Sequence, residues 1–289
     1  LPLPEGPTRT LLIFGLPVLL AYALVRRSQR FAWAIAGVLL VGGTLHTGAH
    51  GEAVWVERNF FGVQRVTTDA SGRFIQIVHG HTLHGRQFID PQRRTEPLAY
   101  YHQSGPVGDI VGGLARQGRT RRVGVVGLGA GAMACYAGSG ERWTFFEIDP
   151  AVARIARDER FFTFLTSCPK GSVEVVMGDA RLQLRDVEDG AYDLLAIDAF
   201  SSDAIPVHLL TREAIALYLK KLAPDGVLAM HVSNRYLDLF PQAAALAADA
   251  GLVFRGRDDR RPHGLGEGVE PSRWVVMARQ ASSLGSVLE

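Results

Sequence analysis

The first 45 residues are dominated by two uncharged apolar runs, residues 11–25 and 31–45, which are separated by the polar segment 26–30. Each run has about 15 residues, and flanking residues could extend both toward the about 20 that cross a bilayer. We therefore predict a transmembrane helical hairpin over residues 1–50, with a lipid bilayer as its partner; a buried helical pair is the alternative. Three arginines between the runs favour a cytoplasmic loop, which leaves the side of the following domain open. Because the chain begins with Leu, we expect a longer protein.

The pattern changes to short strand-like segments from residue 51 to about residue 103. Residues 62–67 and 74–79 are rich in Val, Ile, Phe and Thr, and residues 69–72 supply a turn between them. His84-Gly85 indicates another turn. These features predict a small antiparallel β domain over residues 51–115.

From about residue 121 apolar strands alternate with helices. The predicted strands are 122–127, 143–147, 173–177, 192–198 and 227–232, and the clearest helices are 150–158 and 212–222. This alternation predicts an α/β fold over residues 116–289, with a parallel sheet and helices on both faces. Ligands of such sheets bind at the carboxyl ends of the strands.

A glycine-rich turn follows the first of these strands. Gly127, Gly129 and Gly131 allow the backbone to turn tightly and to approach a ligand, and a helix after the turn would offer free N–H groups. Glu147 ends the next strand, 16 residues past Gly131, where a carboxylate can accept both hydroxyls of a ribose. The combination predicts a nucleotide-type cofactor site.

Two further strand ends carry acids. Asp179 and Ala180 follow the third strand, where an Asp can accept from the amine of an adenine and the next N–H can reach the ring. Asp198 ends the fourth strand, and Asp203 lies in the polar loop after it. These two acids could hold a cationic amine or accept its proton, or they could cap the strand end and the next helix.

Composition excludes several classes. An apolar fraction of 47% with 21% charged residues is typical of a folded protein, and a net charge of +2 without a Lys/Arg stripe argues against nucleic acid. Cys135 and Cys168 are interpreted as reduced thiols. His79 and His81 would share one strand face, but no third ligand has a recognisable spacing, so no metal is predicted. His102 and His208 are candidate general bases, although pocket-rim roles are favoured.

Residues 123–149, together with Asp179 and the loop 198–206, resemble the polyamine aminopropyltransferases (spermidine synthases). The β unit ending in Tyr100-Tyr101-His102-Gln103 is similar to their amino-terminal β domain, whose Tyr-His-Glu or Tyr-Gln-Glu motif borders the active site. With its apolar start, the chain is closest to bacterial membrane-attached spermidine-synthase-like proteins. The resemblance implies a Rossmann-like, class I methyltransferase-type sheet and a location at the inner (plasma) membrane.

The resemblance also implies a reaction: attack of an amine on decarboxylated S-adenosylmethionine, with transfer of the aminopropyl group and release of methylthioadenosine. Intact S-adenosylmethionine is the other cofactor considered, and a homodimer is left open. By position, Glu147 would bind the ribose and Asp179 the adenine. Asp198 would be the acid beside the amine, and Tyr101 would line its pocket.

The chain departs from the family at three places. Ala130 stands where the family's Gly-Gly-Gly-Asp-Gly-Gly loop has the Asp that contacts the aminopropyl end of the cofactor. Asp198 and Asp203 are five positions apart rather than three, and Gln103 replaces the Glu of the motif. The adenosine half is therefore kept and the amine half altered. Two alternatives follow: an S-adenosylmethionine-dependent methyltransferase, and a non-catalytic nucleotide-sensing domain of a membrane protein.

Overall fold

The computed structural model describes residues 15–44, 50–200, 205–234, 237–259, 266–285 and 287. The chain divides into two compact units, Leu1–Gly48 and Ala49–Glu289, and each is described by itself. The finer division at residues 50/51 and 115/116 stays a prediction.

In residues 15–44, the described part of the first unit, there are two helices, α1 (Leu16–Ala23) and α2 (Ser28–Thr44). With 8 and 17 residues they extend about 12 and 26 Å, less than the hydrocarbon core of about 30 Å. The first turn of α2 is also polar, since it carries Ser28, Gln29 and Arg30. Within the described ranges, no helix is long and apolar enough to cross a membrane. The predicted membrane localisation is therefore wrong, and the apolar hairpin is not confirmed; residues 11–14 of the first run and residue 45 of the second lie outside the described residues.

The second unit begins with the predicted antiparallel β unit. Its four strands pair in chain order and are β1 (Glu52–Asn59), β2 (Gly62–Thr68), β3 (Phe74–His79) and β4 (Thr82–Phe88). The predicted turn at His84-Gly85 is wrong, because both residues lie inside β4. Gly85 has φ +154°, and a Cβ there would lie 2.5 Å from the Cβ of Ala130. The glycine therefore permits a close approach between β4 and the turn at residues 127–131.

A seven-stranded sheet forms the rest of the unit. Its strands are β5 (Arg122–Val126), β6 (Arg142–Glu147), β7 (Ser172–Met177), β8 (Tyr192–Ile197), β9 (Leu222–His231), β10 (Val253–Asp258) and β11 (Arg273–Ala278). The order is β10-β11-β9-β8-β5-β6-β7. The five predicted strands are confirmed and pair in parallel, but β11 is antiparallel to both β9 and β10. The predicted parallel sheet is therefore a mixed sheet.

Apolar strands buried on both faces explain why the sheet forms. Successive residues of β5 and β8 alternate between two apolar clusters, one containing Val123, Val125 and Leu194 and the other Val126 and Leu195. The helices of this unit are α3 (Pro106–Arg116), α4 (Pro150–Arg157), α5 (Phe164–Ser167), α6 (Ala180–Asp186), α7 (Arg212–Lys221), α8 (Phe240–Asp249) and α9 (Ala281–Leu284). Helices that cover both faces make continuous apolar strands stable.

The strand order reverses at β5, which lies between β6 and β8. Strands β6 and β7 extend the sheet to one side, and β8 and β9 extend it to the other. A crevice opens at such a reversal, outside the carboxyl ends of the strands, and it is where open α/β sheets bind ligands. The glycine turn after β5 and Asp198 after β8 both lie at this point.

Cys135 and Cys168 form a disulfide, so the interpretation as reduced thiols is wrong. Two cysteines 33 positions apart carry no spacing signal. The fold joins them because the short 3₁₀ helix Ala132–Tyr136 packs against α5, which Cys168 follows directly. The bond connects the segment after the glycine turn to the loop between α5 and β7.

We expect a Cys135→Ser, Cys168→Ser double variant to have an unfolding free energy about 3–4 kcal/mol lower than that of the wild type, since the closed loop restricts the unfolded chain. Urea unfolding followed by circular dichroism measures this difference. Dithiothreitol should destabilise the wild type by a similar amount and leave the double variant unchanged. Equal midpoints for oxidised wild type and variant would contradict the prediction.

Candidate active site

The carboxyl ends of β5, β6, β7 and β8 border a cavity of about 670 Å³. This volume is in the range of small-molecule and cofactor sites. The cavity is lined by seven of the predicted site residues: Tyr101, Gly127, Gly129, Glu147, Asp179, Ala180 and Asp198. Gly131 lies behind the lining, at the start of the 3₁₀ helix. Asp203 lies outside the described residues.

The glycine turn is built from backbone that other residues rarely adopt. Gly127 and Gly129 have φ values of +103° and +54°. A Cβ at Gly127 would lie 2.4 Å from the carbonyl oxygen of Asp198, and one at Gly129 would lie 2.2 Å from that of His84. The turn thus fits between β8 and β4. The helix predicted after the turn is a 3₁₀ helix of five residues.

Glu147 holds this turn in place. Its Oε2 accepts a hydrogen bond from the Leu128 N–H at 3.0 Å, and its Oε1 accepts one from the Asp149 N–H at 2.8 Å. The residue is only 8% exposed, and burial raises the pKa of its carboxyl from 4.5 to about 7. A carboxylate has about four lone-pair sites, so acceptor capacity remains for a ligand donor.

Gln64 of β2, which the sequence analysis did not single out, also lines the cavity. Its Nε2 donates to Asp149 Oδ2 at 3.0 Å, and Asp149 also caps α4 by accepting from the Ala151 N–H. The Oε1 of Gln64 is buried and has no hydrogen-bond partner among the described residues. A signal existed: Gln64 occupies the same strand face as Val66, where an apolar residue would be expected.

Asp179 caps a helix as well as lining the cavity. Its Oδ1 accepts from the Arg181 and Leu182 N–H groups at 2.8 and 3.1 Å and so begins α6. Its Oδ2 lies 3.5 Å from Nε2 of His208, a half-exposed cavity residue. Only Oδ2 is therefore directed at partners outside the helix end.

Asp198 is held on both of its oxygens. The Tyr101 hydroxyl donates to Oδ2 at 2.7 Å, and His231 Nδ1 lies 2.6 Å from Oδ1. On the other side of the imidazole, Nε2 is 2.8 Å from the Ser233 hydroxyl oxygen. All four side chains line the cavity. Burial, and then the charge of Asp198, raise the pKa of Tyr101 well above its usual value, so the phenol stays protonated.

Histidines form much of the remaining wall. The histidines that line the cavity are His50, His79, His81, His84, His208 and His231. His79 ends β3 and His81 lies in the following turn, so they do not share the predicted strand face. Within the described ranges, no group of three His, Cys, Asp or Glu could hold a metal ion. His102, a candidate base, is buried outside the lining with Nε2 3.5 Å from Asp259, and burial lowers its pKa.

Residues 266–272, the described part of the connection before β11, border one side of the cavity through Glu270 and Pro271. Glu270 lines it and lies 3.2 Å from Arg86, while Glu267 pairs with Arg73 and Arg93. A backbone bridge between Ala99 and Val269 attaches this loop to the segment that carries Tyr101. The acidic loop is therefore part of the wall.

The geometry defines a class: a Rossmann-like α/β protein of the methyltransferase type, preceded by an antiparallel β unit that lines the same cavity. No protein-family model matches the chain. The polyamine aminopropyltransferase of Vibrio vulnificus is 30% identical over 147 residues, which cover 49% of this chain and 46% of that protein. Polyamine aminopropyltransferase 2 of Streptomyces coelicolor is 29% identical over 228 residues, which cover 73% of this chain and 37% of that protein. The chain thus spans less than half the length of these curated relatives.

Solved structures show the same fold. A probable spermidine synthase from Corynebacterium glutamicum has a TM-score of 0.59 and 17% identity, covering 78% of this chain and 79% of that one. A spermidine synthase in complex with the transition-state analogue AdoDATO has a TM-score of 0.54 and 11% identity, and the match covers 82% of this chain and 76% of that one. Together with the curated relatives, these similarities support a relationship to the polyamine aminopropyltransferase (spermidine synthase) family. They do not show the predicted membrane-attached subgroup.

Proposed function

We propose that the protein is a spermidine-synthase-like transferase that moves an aminopropyl group from decarboxylated S-adenosylmethionine to a small amine. The observation that carries the proposal is one cavity that is lined by Glu147 and Asp179 and also by the hydrogen-bonded pair of Tyr101 and Asp198. The names of the relatives favour aminopropyl transfer over the methyltransferase and nucleotide-sensing alternatives.

The residues at the sheet fit an adenosine. Glu147 keeps acceptor sites for ribose hydroxyls, and Asp179 Oδ2 could accept from an adenine amine in place of His208. The unpartnered Oε1 of Gln64 is a further buried acceptor, which a ligand donor would satisfy. These groups would hold the cofactor, whose sulfonium supplies the electrophilic carbon.

The acceptor amine would lie beside Tyr101 and Asp198, with Asp203 of the adjacent loop as the proposed third group. Alignment of a neutral amine with the carbon next to the sulfonium is the main requirement, because the reaction forms one N–C bond and breaks one C–S bond. The electron pair of the C–S bond stays on sulfur, and methylthioadenosine leaves. The proton of the amine must then pass to the protein or to water.

Ala130 is the observation that favours methyl transfer as the second candidate. It is fully buried, and its Cβ packs against Gly85. A carboxylate for the aminopropyl ammonium, present in the family's glycine loop, is therefore missing from this position. Intact S-adenosylmethionine carries its own carboxylate and does not need one there.

Titration calorimetry with decarboxylated and intact S-adenosylmethionine separates the candidates. Tighter binding of the decarboxylated cofactor, with release of methylthioadenosine when 1,4-diaminobutane is added, would support the proposal. Tighter binding of the intact cofactor would favour the methyltransferase. If neither cofactor nor methylthioadenosine bound, both enzymatic candidates would be lost.

We further propose that two chains associate through the β unit. The edge strand β1 exposes apolar side chains at Val54, Trp55 and Val56, each more than 40% accessible. Exposed edges that carry such residues are typical of pairing surfaces. Light scattering should give twice the 31.4 kDa mass of one chain; a monomer mass at micromolar concentration would contradict this.

A further inference from the structure

His231 is the most firmly positioned ionisable group of the cavity. It ends β9 and is only 3% exposed. Its ring is parallel to that of Trp274, with centroids 4.8 Å apart, and Phe200 packs edge-on at 4.8 Å. The ring of Tyr100 lies 5.5 Å away. Such packing permits one ring orientation and fixes where both nitrogens point.

The partners of His231 determine its tautomer. An ionised carboxylate only accepts hydrogen bonds, so Nδ1 must carry a proton toward Asp198 Oδ1. In the neutral imidazole, Nε2 is then the acceptor. The Ser233 hydroxyl oxygen accepts from the Arg273 N–H at 2.8 Å, and its own proton is free to be donated to Nε2 at 2.8 Å. Because Ser233 lines the cavity, an unbroken hydrogen-bonded path leads from the cavity to the imidazole.

Protonation of Asp198 would break a contact that protonation of His231 keeps. Both oxygens of Asp198 already face donors, Tyr101 and His231, so a carboxylic proton on either one would oppose a donor. A second proton on His231 Nε2 instead points at Ser233, whose oxygen has another lone pair. It also creates an imidazolium beside the Asp198 carboxylate.

We propose that His231 takes up the proton that the acceptor amine loses, with Ser233 as the relay and Asp198 as a positioning residue. The inference rests on the proposed amine transfer. The amine nitrogen forms a bond to carbon while the electron pair of the breaking C–S bond stays on sulfur. The resulting secondary ammonium gives one proton to Ser233. The hydroxyl proton of Ser233 moves to Nε2, and the imidazolium later releases one proton to water.

The test compares His231→Gln with wild type in the release of methylthioadenosine from decarboxylated S-adenosylmethionine and 1,4-diaminobutane. We expect kcat to fall about 100-fold, while the KM of the amine and the Kd of the cofactor change less than about threefold. Imidazole added to His231→Ala should restore part of kcat, because the slot beside Trp274 becomes vacant. The matched control is His102→Gln, another buried histidine beside an aspartate, which should retain wild-type kcat.

The outcomes are distinguishable. If His231→Gln kept wild-type kcat while Asp198→Asn lost it, the proton would go to Asp198, and this inference would be overturned while the proposed function stood. A rise in the cofactor Kd equal to the fall in kcat would show a structural role and would also overturn it. If wild type released no methylthioadenosine, the proposed function would fail and this inference with it.

Discussion

Replacement of Gly127 by alanine is expected to weaken binding of decarboxylated S-adenosylmethionine by about 1000-fold. The methyl group would lie 2.4 Å from the Asp198 carbonyl oxygen, which β8 holds rigidly, and φ at this position is +103°. Backbone strain and overlap cost roughly 1–3 kcal/mol each. The two costs together amount to about 4 kcal/mol. This corresponds to about a 1000-fold loss of affinity when the cofactor must bind against a displaced turn.

The matched control is Gly118→Ala. Gly118 also has a positive φ, +69°, but a Cβ there has no atom within 4 Å and the residue lies outside the cavity. This variant should lose about 1 kcal/mol of stability and bind the cofactor as wild type does. Calorimetry and thermal unfolding of both variants check this. Wild-type affinity in Gly127→Ala would show that the turn does not contact the cofactor.

The strands of the large sheet were predictable because burial on both faces requires continuous apolar runs. β5 and β8, for example, were found within a residue of their observed ends. The turn predicted at His84-Gly85 was wrong for the opposite reason. Gly85 is a glycine because Ala130, 45 positions further on, packs against it, and a turn signal cannot be distinguished locally from such a contact.

Long-range partners explain the other errors. The pairing of Cys135 with Cys168 depends on the packing of the 3₁₀ helix on α5. The antiparallel direction of β11 appears only in its pairing with β9 and β10, which are far from one another along the chain, and the residue pattern within β11 does not encode it. The first apolar run was predicted to span a membrane from its uncharged length, but within the described residues its helix, α1, has 8 residues.

The candidate site also has features that the local sequence predicts and features that depend on long-range partners. Glu147 and Asp198 were identifiable because each ends an apolar strand, and they do line one cavity. The partner of Asp198 was not identifiable, because His231 looked like any histidine at a strand end. The chemistry of an acid depends on these partners, so its position is easier to predict than its role. Asp198 illustrates this, since both of its oxygens are already engaged.

Glu147 should make cofactor binding pH-dependent. Its burial raises the pKa to about 7, whereas the Leu128 and Asp149 N–H groups donate to its oxygens, as the ribose hydroxyls would in the proposed complex. Affinity should therefore fall about tenfold per pH unit below pH 7 and level off above it. Calorimetry between about pH 5.5 and 8.5, in buffers of different ionisation enthalpy, should detect proton release on binding at the acidic end.

The folding stability of the unliganded protein should instead decrease as pH rises. The folded state holds the Glu147 proton more tightly than the unfolded state does, so Glu147 favours folding below about pH 4.5, and that contribution is lost as pH rises to about 7.

Glu147→Gln should remove the part of this pH dependence that comes from Glu147 and weaken binding about 1000-fold at pH 8. An amide NH₂ would face either the Leu128 or the Asp149 N–H, which leaves a buried donor unpaired at about 1–3 kcal/mol, and the charge-assisted bonds to the ribose would be lost as well. Glu174→Gln, at an exposed position on β7, should bind and titrate as wild type does. A wild-type affinity that is flat from about pH 5.5 to 8.5 would mean that the ligand does not require the ionised carboxylate, and that Glu147 acts only through the turn it holds.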